Sequence, residues 1–394
     1  MPSLPPSRRP RCRLPLGALL AAVCLTGALS APAGADTAPT GHDHDRALRE
    51  QLAGLVRSPG GPPGVIAVLR RGDDTRVVRA GVADVESGRP ISPDDHMRVA
   101  STAKAFSGAV ALSLVDKGVL RLDDTIGRRL PSLPRNWHAV TLRRLLNHTS
   151  GLPDYSRSPG FLKVLTADPH HRFDSRRLLG YVAGDPLLFR PGARYQYSNS
   201  DNIAVALMAE AATGKRYEQL LRDLVHRPLG LRATSLPQGY RLPEPYMRGY
   251  DVEPPRPPED VSEVLGASGV WASGGIVSTP ADMTRFVRGY ASGALISPAT
   301  LREQRRWVAG ASEPAGPGEN AAGEGIFRYT TRCGVVLGHT GNFPGYTQLI
   351  AATPDGRRSL TFSLTTQVNK ETEPELLERV RGVEENFVCA LLRG

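Results

Sequence analysis

Ser101-Thr102-Ala103-Lys104-Ala105-Phe106-Ser107-Gly108-Ala109-Val110-Ala111-Leu112 is the stretch on which the fold of this chain turns. Ala105, Ala109, Leu112, Leu114 and Val115 recur at helical spacing and are apolar enough for a buried helix, which ends near Lys117-Gly118. A helix that opens at Ser101 places the serine hydroxyl and the Lys104 amine on one face, about one turn apart. In that arrangement the amine can take the hydroxyl proton, provided that burial near a positive helix end keeps the lysine neutral. The same helix end favours an alkoxide on Ser101. On its own the tetrad is weak, because a helix cap followed by a solvated lysine reads the same way.

Outward from this helix the pattern is β-rich at both ends and helical between. Upstream, residues 64–69 and 76–85 alternate as two strands around Gly72-Asp73-Asp74, a hairpin, preceded by a surface helix over residues 45–56 with Leu48, Leu52 and Leu55 on one face. Residues 120–265 are helical where regular (142–146, 176–182, 201–213 and 217–224), with Pro/Gly-rich joints and an extended linker at 254–258. Downstream, Thr279-Pro280-Ala281-Asp282 starts a helix with Pro at the first helical position. Strands follow at 325–337, 345–352 and 359–366, the last two turned by Pro354-Asp355-Gly356, and an amphipathic helix over 374–392 closes the chain. This order predicts an α/β (α+β) protein: one α/β domain from residues 36–120 and 266–394, with a mainly helical domain, 121–265, inserted.

The first 35 of the 394 residues stand apart. Arg8, Arg9, Arg11 and Arg13 precede an apolar run over residues 14–29 and then Ala33-Gly34-Ala35, the order of a secretory signal peptide cleaved before Asp36. The run is shorter than the roughly 20 residues that span a bilayer, so no stable membrane insertion is expected after cleavage. A secreted protein is the expectation. Cleavage removes four of the 49 basic residues and leaves 45 against 39 acidic ones, a mild excess suited to an anionic cell wall. Arginine outnumbers lysine 44 to 5, so a compositional bias explains that excess equally well, and no lysine run interleaved with aromatics supports nucleic-acid binding. Cys333 and Cys389 remain after cleavage; in an oxidising compartment they suggest one disulfide pinning the C-terminal helix to a strand, two buried thiols being the alternative.

Two further short stretches carry chemistry. Tyr197-Ser198-Asn199 lies between a Pro191-Gly192 turn and a helix, where a phenol could pass a proton to a leaving group and an amide could hold both lysine and substrate. His339-Thr340-Gly341 ends a strand through Val335, Val336 and Leu337; its glycine would let a substrate backbone approach. Each has a structural alternative: a helix cap beside a packed tyrosine, and a satisfied core histidine. No second ligand stands at metal spacing from His339, and His170-His171 are adjacent in a polar loop, so neither a metal nor another cofactor is expected.

In order and separation, Ser101-x-x-Lys104, Tyr197-x-Asn199 and His339-Thr340-Gly341 resemble the S-x-x-K, Y-x-N and K/H-T-G motifs of class C β-lactamases and related penicillin-binding serine hydrolases. Leu145-Leu146-Asn147-His148-Thr149-Ser150-Gly151-Leu152, Gly274 to Pro280 with Asp282, and Gly338 to Gly345 extend the likeness through most of the chain. Within the family it is most similar to secreted D-alanyl-D-alanine carboxypeptidases of the Streptomyces type, which share the histidine of the third motif and a cysteine before it. The resemblance implies an antiparallel sheet flanked by helices, with Ser101 as nucleophile and Lys104 and Tyr197 handling protons. It further implies Asn199, His339, Thr340, Gly341 and Asn342 binding substrate, with the N–H groups of Ser101 and Asn342 forming an oxyanion hole. Close carboxypeptidases also use an arginine before the third motif to hold the substrate carboxylate; here that place falls on Phe327 or Arg328, depending on register.

The expected activity is therefore cleavage of D-alanyl-D-alanine termini of peptidoglycan stem peptides, with β-lactams acylating the same serine, by a monomer. A β-lactamase or short-chain esterase is the near alternative, and His339 in place of lysine argues against the lactamase. A penicillin- or peptidoglycan-binding sensor without turnover is the alternative of another class, and an intact Ser101, Lys104 and Tyr197 argue against it.

Overall fold

The structure, a computed structural model, describes residues 41–393, with side chains from Arg46 onward; the leader read over residues 1–35 lies outside them. The elements that build the site are helix α1 (Gly41–Val56), strands β1 (Gly64–Arg71) and β2 (Asp74–Gly81), helices α2 (Ala103–Asp116), α3 (Asn199–Thr213) and α4 (Pro280–Ser292), strands β3 (Val308–Ala309), β4 (Glu319–Ala322), β5 (Phe327–Thr331), β6 (Gly334–Phe343), β7 (Tyr346–Ala352) and β8 (Arg358–Leu364), and helix α5 (Pro374–Arg393).

The strands form one antiparallel sheet in the order β2-β1-β8-β7-β6-β5-β4-β3. The N-terminal hairpin is thus completed by β8 from the far end of the chain, Val65 opposite Leu364 and Arg71 opposite Arg358. Both faces are covered. Val65, Ala67 and Leu69 pack with Leu48 and Leu52 of α1 and with Val380 and Phe387 of α5, whereas Ile66 and Val68 belong to the core shared with α2 and α4. Because successive side chains point to opposite faces, a strand covered twice is apolar at every position, which is why residues 65–69 show no polar alternation.

Residues 325–337, expected as one strand, are instead β5, a turn at Arg332-Cys333, and the start of β6. Cys333, at the tip of that hairpin, is joined by a disulfide to Cys389 of α5. Pro254–Pro258 connects two short paired strands, Tyr250–Asp251 and Glu259–Asp260.

The register of β6 makes the cleft. It pairs with β5 only over Gly334–Gly338, whereas Leu337–Phe343 pair with β7, so His339 to Phe343 form a local edge within a central strand. The turn carrying Ser101 lies against that edge. Met97–Arg98 pair with Val277–Ser278, and the chain then passes through Ala100, held at a φ of 52°, into a short 3₁₀ turn (Ala100–Thr102) and α2. A left-handed alanine costs about 1 kcal/mol or more, so the surrounding contacts must hold the turn that presents Ser101.

Candidate active site

Lys104 is buried in α2 and its Nζ has three polar neighbours: Ser101 Oγ at 3.0 Å, Asn199 Oδ1 at 2.8 Å and the Ser273 carbonyl oxygen at 2.8 Å. Two of these can only accept hydrogen bonds. A neutral amine has two N–H donors and one lone pair, so donation to Asn199 and Ser273 leaves the lone pair for the Ser101 hydroxyl. Burial lowers the Lys104 pKa to about 7, against the opposing pull of Asp154, Glu313 and Asp201. The nitrogen also lies 4.9 Å from the centre of the Tyr197 ring.

Asn199 is the first residue of α3, and its orientation is set from below. Asp154 Oδ2 accepts from both its backbone N–H and its Nδ2 at 3.1 Å, and Ser156 Oγ accepts from Nδ2 at 3.0 Å. An acid at a helix N-terminus is favourable there, and it turns Oδ1 towards Lys104. Tyr197 is buried, which pushes its pKa well above 10, with the Ser101 hydroxyl working in the opposite direction. The phenol is therefore protonated and has a proton to give, although its oxygen is buried without a hydrogen bond of ordinary geometry.

Rings line the wall behind it: His148 lies 4.5 Å from Tyr197, Tyr197 6.5 Å from His339, and His339 4.9 Å edge-to-face from Phe327. Burial and the Lys104 charge lower His339 to about 3, so the ring is neutral, with Nδ1 2.5 Å from the Thr340 carbonyl oxygen. At Gly341 an added Cβ would lie 2.6 Å from Val99 O and 3.1 Å from Ser101 N, so this glycine is what lets β6 lie against the serine turn.

Ser101, Lys104, Tyr197, Asn199, His339, Thr340 and Gly341, which are far apart in sequence, thus meet in one place. The side chain of Asn342 is occupied elsewhere, donating to Val368 O and Asn369 Oδ1 and accepting from Thr347, so only its backbone is available to the cleft. The Phe327/Arg328 register is resolved as well. Phe327 abuts His339, while Arg328 stacks 5.4 Å over Trp307, so of the two it is Phe327 that lies next to the third motif.

Sequence reasoning had not assigned roles to Asp154, Ser273, His148, Asp201 or Glu313. His148 Nδ1 lies 2.8 Å from Asp201 Oδ2, and Ser150 Oγ donates to Asp201 Oδ1 at 2.5 Å. Burial beside Lys104 keeps His148 neutral. His148 and Ser150 lie within the signature stretch Leu145 to Leu152, and Asp154 just after it, which was the one available signal. Ser273 acts through its carbonyl, which no residue type advertises. Among the described residues no group of three or more His, Cys, Asp or Glu is placed to hold a metal, and no helix is long and apolar enough to cross a membrane.

A serine hydroxyl facing an amine that two carbonyls hold ready to accept its proton is the working part of a serine hydrolase. Residues 45–384 match the family model described as Beta-lactamase, and the chain belongs to that family. It is 26% identical over 330 residues to Penicillin-binding protein 4* of Bacillus subtilis (strain 168), spanning 80% of this chain and 70% of that one. To Esterase EstB of Burkholderia gladioli it is 31% identical over 309 residues, 70% of this chain and 75% of that one. A solved D-stereospecific amidohydrolase from Streptomyces sp. superposes with a TM-score of 0.72 at 30% identity, over 82% of this chain and 94% of that one.

Proposed function

We propose that the chain cleaves amide bonds at D-amino acids through an acyl-enzyme on Ser101, with D-alanyl-D-alanine termini of peptidoglycan stem peptides as substrate and penicillins as acylating analogues. The observation that carries this reading is the Lys104 amine, whose two carbonyl acceptors leave its lone pair for Ser101. Lys104 takes the Ser101 proton as Oγ attacks the carbonyl carbon, and the N–H groups of Ser101 and Asn342 meet the developing oxyanion. Tyr197 gives its proton to the leaving nitrogen and regains one from Lys104; the C–N bond breaks and the acyl group stays on Ser101. Water then attacks the ester, its proton passes back through the same groups, and Ser101 Oγ leaves as hydroxyl.

A second reading is favoured by Phe327 in the place where a cation would hold a terminal carboxylate: the acyl donor is a D-aminoacyl amide or short D-peptide rather than a long stem peptide. The relatives support D-configured amides and simple esters as the range to test. We also propose secretion through the leader over residues 1–35, with the mature N-terminus at Asp36.

Fluorescent penicillin should label the wild type covalently and leave Ser101→Ala unlabelled; a labelled Ser101→Ala protein would exclude Ser101 as nucleophile. D-Alanine released from a peptide ending in two D-alanines, set against nitrocefin and p-nitrophenyl acetate hydrolysis, decides among peptidase, lactamase and esterase. Labelling with no turnover of any of them would point to a sensor.

A further inference from the structure

Glu313 sits on a loop stitched to the walls of the site. Tyr195 donates to Ala311 O at 2.5 Å, Ser312 Oγ lies 3.0 Å from Tyr329 Oη, and Thr340 Oγ1 of the third motif donates to Pro314 O at 2.5 Å. Held between these anchors, the Glu313 carboxylate acts electrostatically on Lys104, Tyr195 and Tyr197. Its ion-pair partner is Arg157 at 3.4 Å, on the turn Tyr155–Arg157 whose Ser156 holds Asn199. The pair therefore bridges the loop anchored on Thr340 and the turn that holds Asn199.

Arg157 is 74% exposed and Glu313 54% exposed, and an ion pair this open contributes little, so a ligand cation can replace the guanidinium at small cost. Burial raises the Glu313 carboxyl above the usual carboxylate range, Arg157 and then Lys104 oppose it, and Asp154 and Glu371 add to the negative field; Lys104 is neutral when it works as a base. With Arg157 displaced, this loop presents a carboxylate that acts on Lys104 and Tyr197, while the place beside His339 holds Phe327. That field favours an ammonium group and opposes a carboxylate.

Resting on the second reading above, in which the acyl-enzyme forms from a D-aminoacyl amide or short D-peptide and not from a stem peptide with an acylated nitrogen, we propose that Glu313 is a specificity-determining residue that binds the free α-ammonium of a D-aminoacyl substrate, taking it in exchange for Arg157. Calorimetric binding of D-alaninamide and N-acetyl-D-alaninamide to the full-length Ser101→Ala protein tests this without any chemistry. The free amine should bind about tenfold or more tightly than its acetylated counterpart, as a charge-assisted hydrogen bond implies. Adding Glu313→Gln should abolish that difference, whereas Glu313→Asp should restore part of it. In the Ser101 protein Glu313→Gln should raise KM for D-alanine p-nitroanilide far more than it lowers kcat. Equal binding of the two amides, an advantage that survives Glu313→Gln, or no measurable binding of either would overturn the proposal. Penicillin labelling of the wild type reports on Ser101 separately: labelling without amine discrimination sinks only the role of Glu313, and discrimination without labelling sinks only the acyl-enzyme.

Discussion

A lysine three residues after a serine is common; what separates Lys104 from a solvated helix lysine is the fate of its hydrogens. Asn199 Oδ1 and Ser273 O occupy two donors, and burial brings the pKa to about 7, so the amine is a base at neutral pH. Protonated Lys104 cannot accept from Ser101, so the second-order rate of penicillin acylation should fall about tenfold per pH unit below about 7 and level off above it. His339, neutral above about 3, adds no inflection in that range, and Tyr197 keeps its proton well past 10. Asp154 is the foremost of the acids that raise Lys104, so Asp154→Asn, which keeps an acceptor for Asn199, should move the acid limb to lower pH. Stopped-flow acylation from about pH 5 to 9 measures both; a flat profile would mean that Lys104 is not the proton acceptor.

At the scale of elements, local signals were sufficient wherever punctuation and period coincided. The turns at Gly72-Asp73 and Pro354-Asp355-Gly356 and the helix that starts at Pro280 stand as read, because Gly, Pro and cap chemistry act within a few residues. The β5–β6 hairpin was missed because its two central residues, Arg332-Cys333, are neither Gly nor Pro, and the lone Gly334 that closes the turn at a φ of 136° does not by itself break residues 325–337 into two runs. Strand β4, Glu319–Ala322, has no β-branched residue and is a strand because β5 and β3 pair with it on either side. The site divides in the same way: Ser101, Lys104, Tyr197, Asn199 and His339 form motifs that a reader can quote, whereas Asp154 and Glu313 matter only because distant segments bring them to Lys104. The β6 edge offers a direct test of element placement. Gly341→Ala would put a Cβ 2.6 Å from Val99 O and 3.1 Å from Ser101 N, both backbone atoms that cannot swing aside. The strand must then move off the serine turn, and acylation should drop about 10²-fold, the cost of a misplacement near 1 Å. Gly382→Ala, with nothing within 4 Å of its Cβ, is the matched control and should acylate at the wild-type rate. If Gly341→Ala kept wild-type acylation, the close approach of β6 to Ser101 would be irrelevant to the chemistry.

At the scale of the whole described structure, residues 41–393, its two ends close on each other: α1 and β1 pack and pair with α5 and β8, and the Cys333–Cys389 disulfide holds α5 to the β5–β6 hairpin. The layer between α5 and the sheet contains a group that should make its closure depend on pH. Glu384 is only 3% exposed, and burial raises its pKa to about 8, with Arg381 opposing. In the unfolded chain the same carboxyl ionises near 4.5. Between those two values the folded protein retains a proton that the unfolded chain has lost, so this residue favours unfolding increasingly as pH rises, by roughly 1.4 kcal/mol per unit, and its effect levels off above about 8. Glu324 is raised in the same direction but is tied to Arg143 at 3.1 Å, and it stays unchanged in a Glu384 variant, so a paired comparison cancels it. Glu384→Gln cannot ionise and should lose the Glu384 share of the slope. Its melting temperature should be close to wild type near pH 4.5 and should exceed it by a margin that grows up to about pH 8. Melting curves at matched ionic strength that stay parallel across this window would show that Glu384 keeps its charge in the fold, and that the α5 layer admits more water or a closer counter-charge than its packing implies.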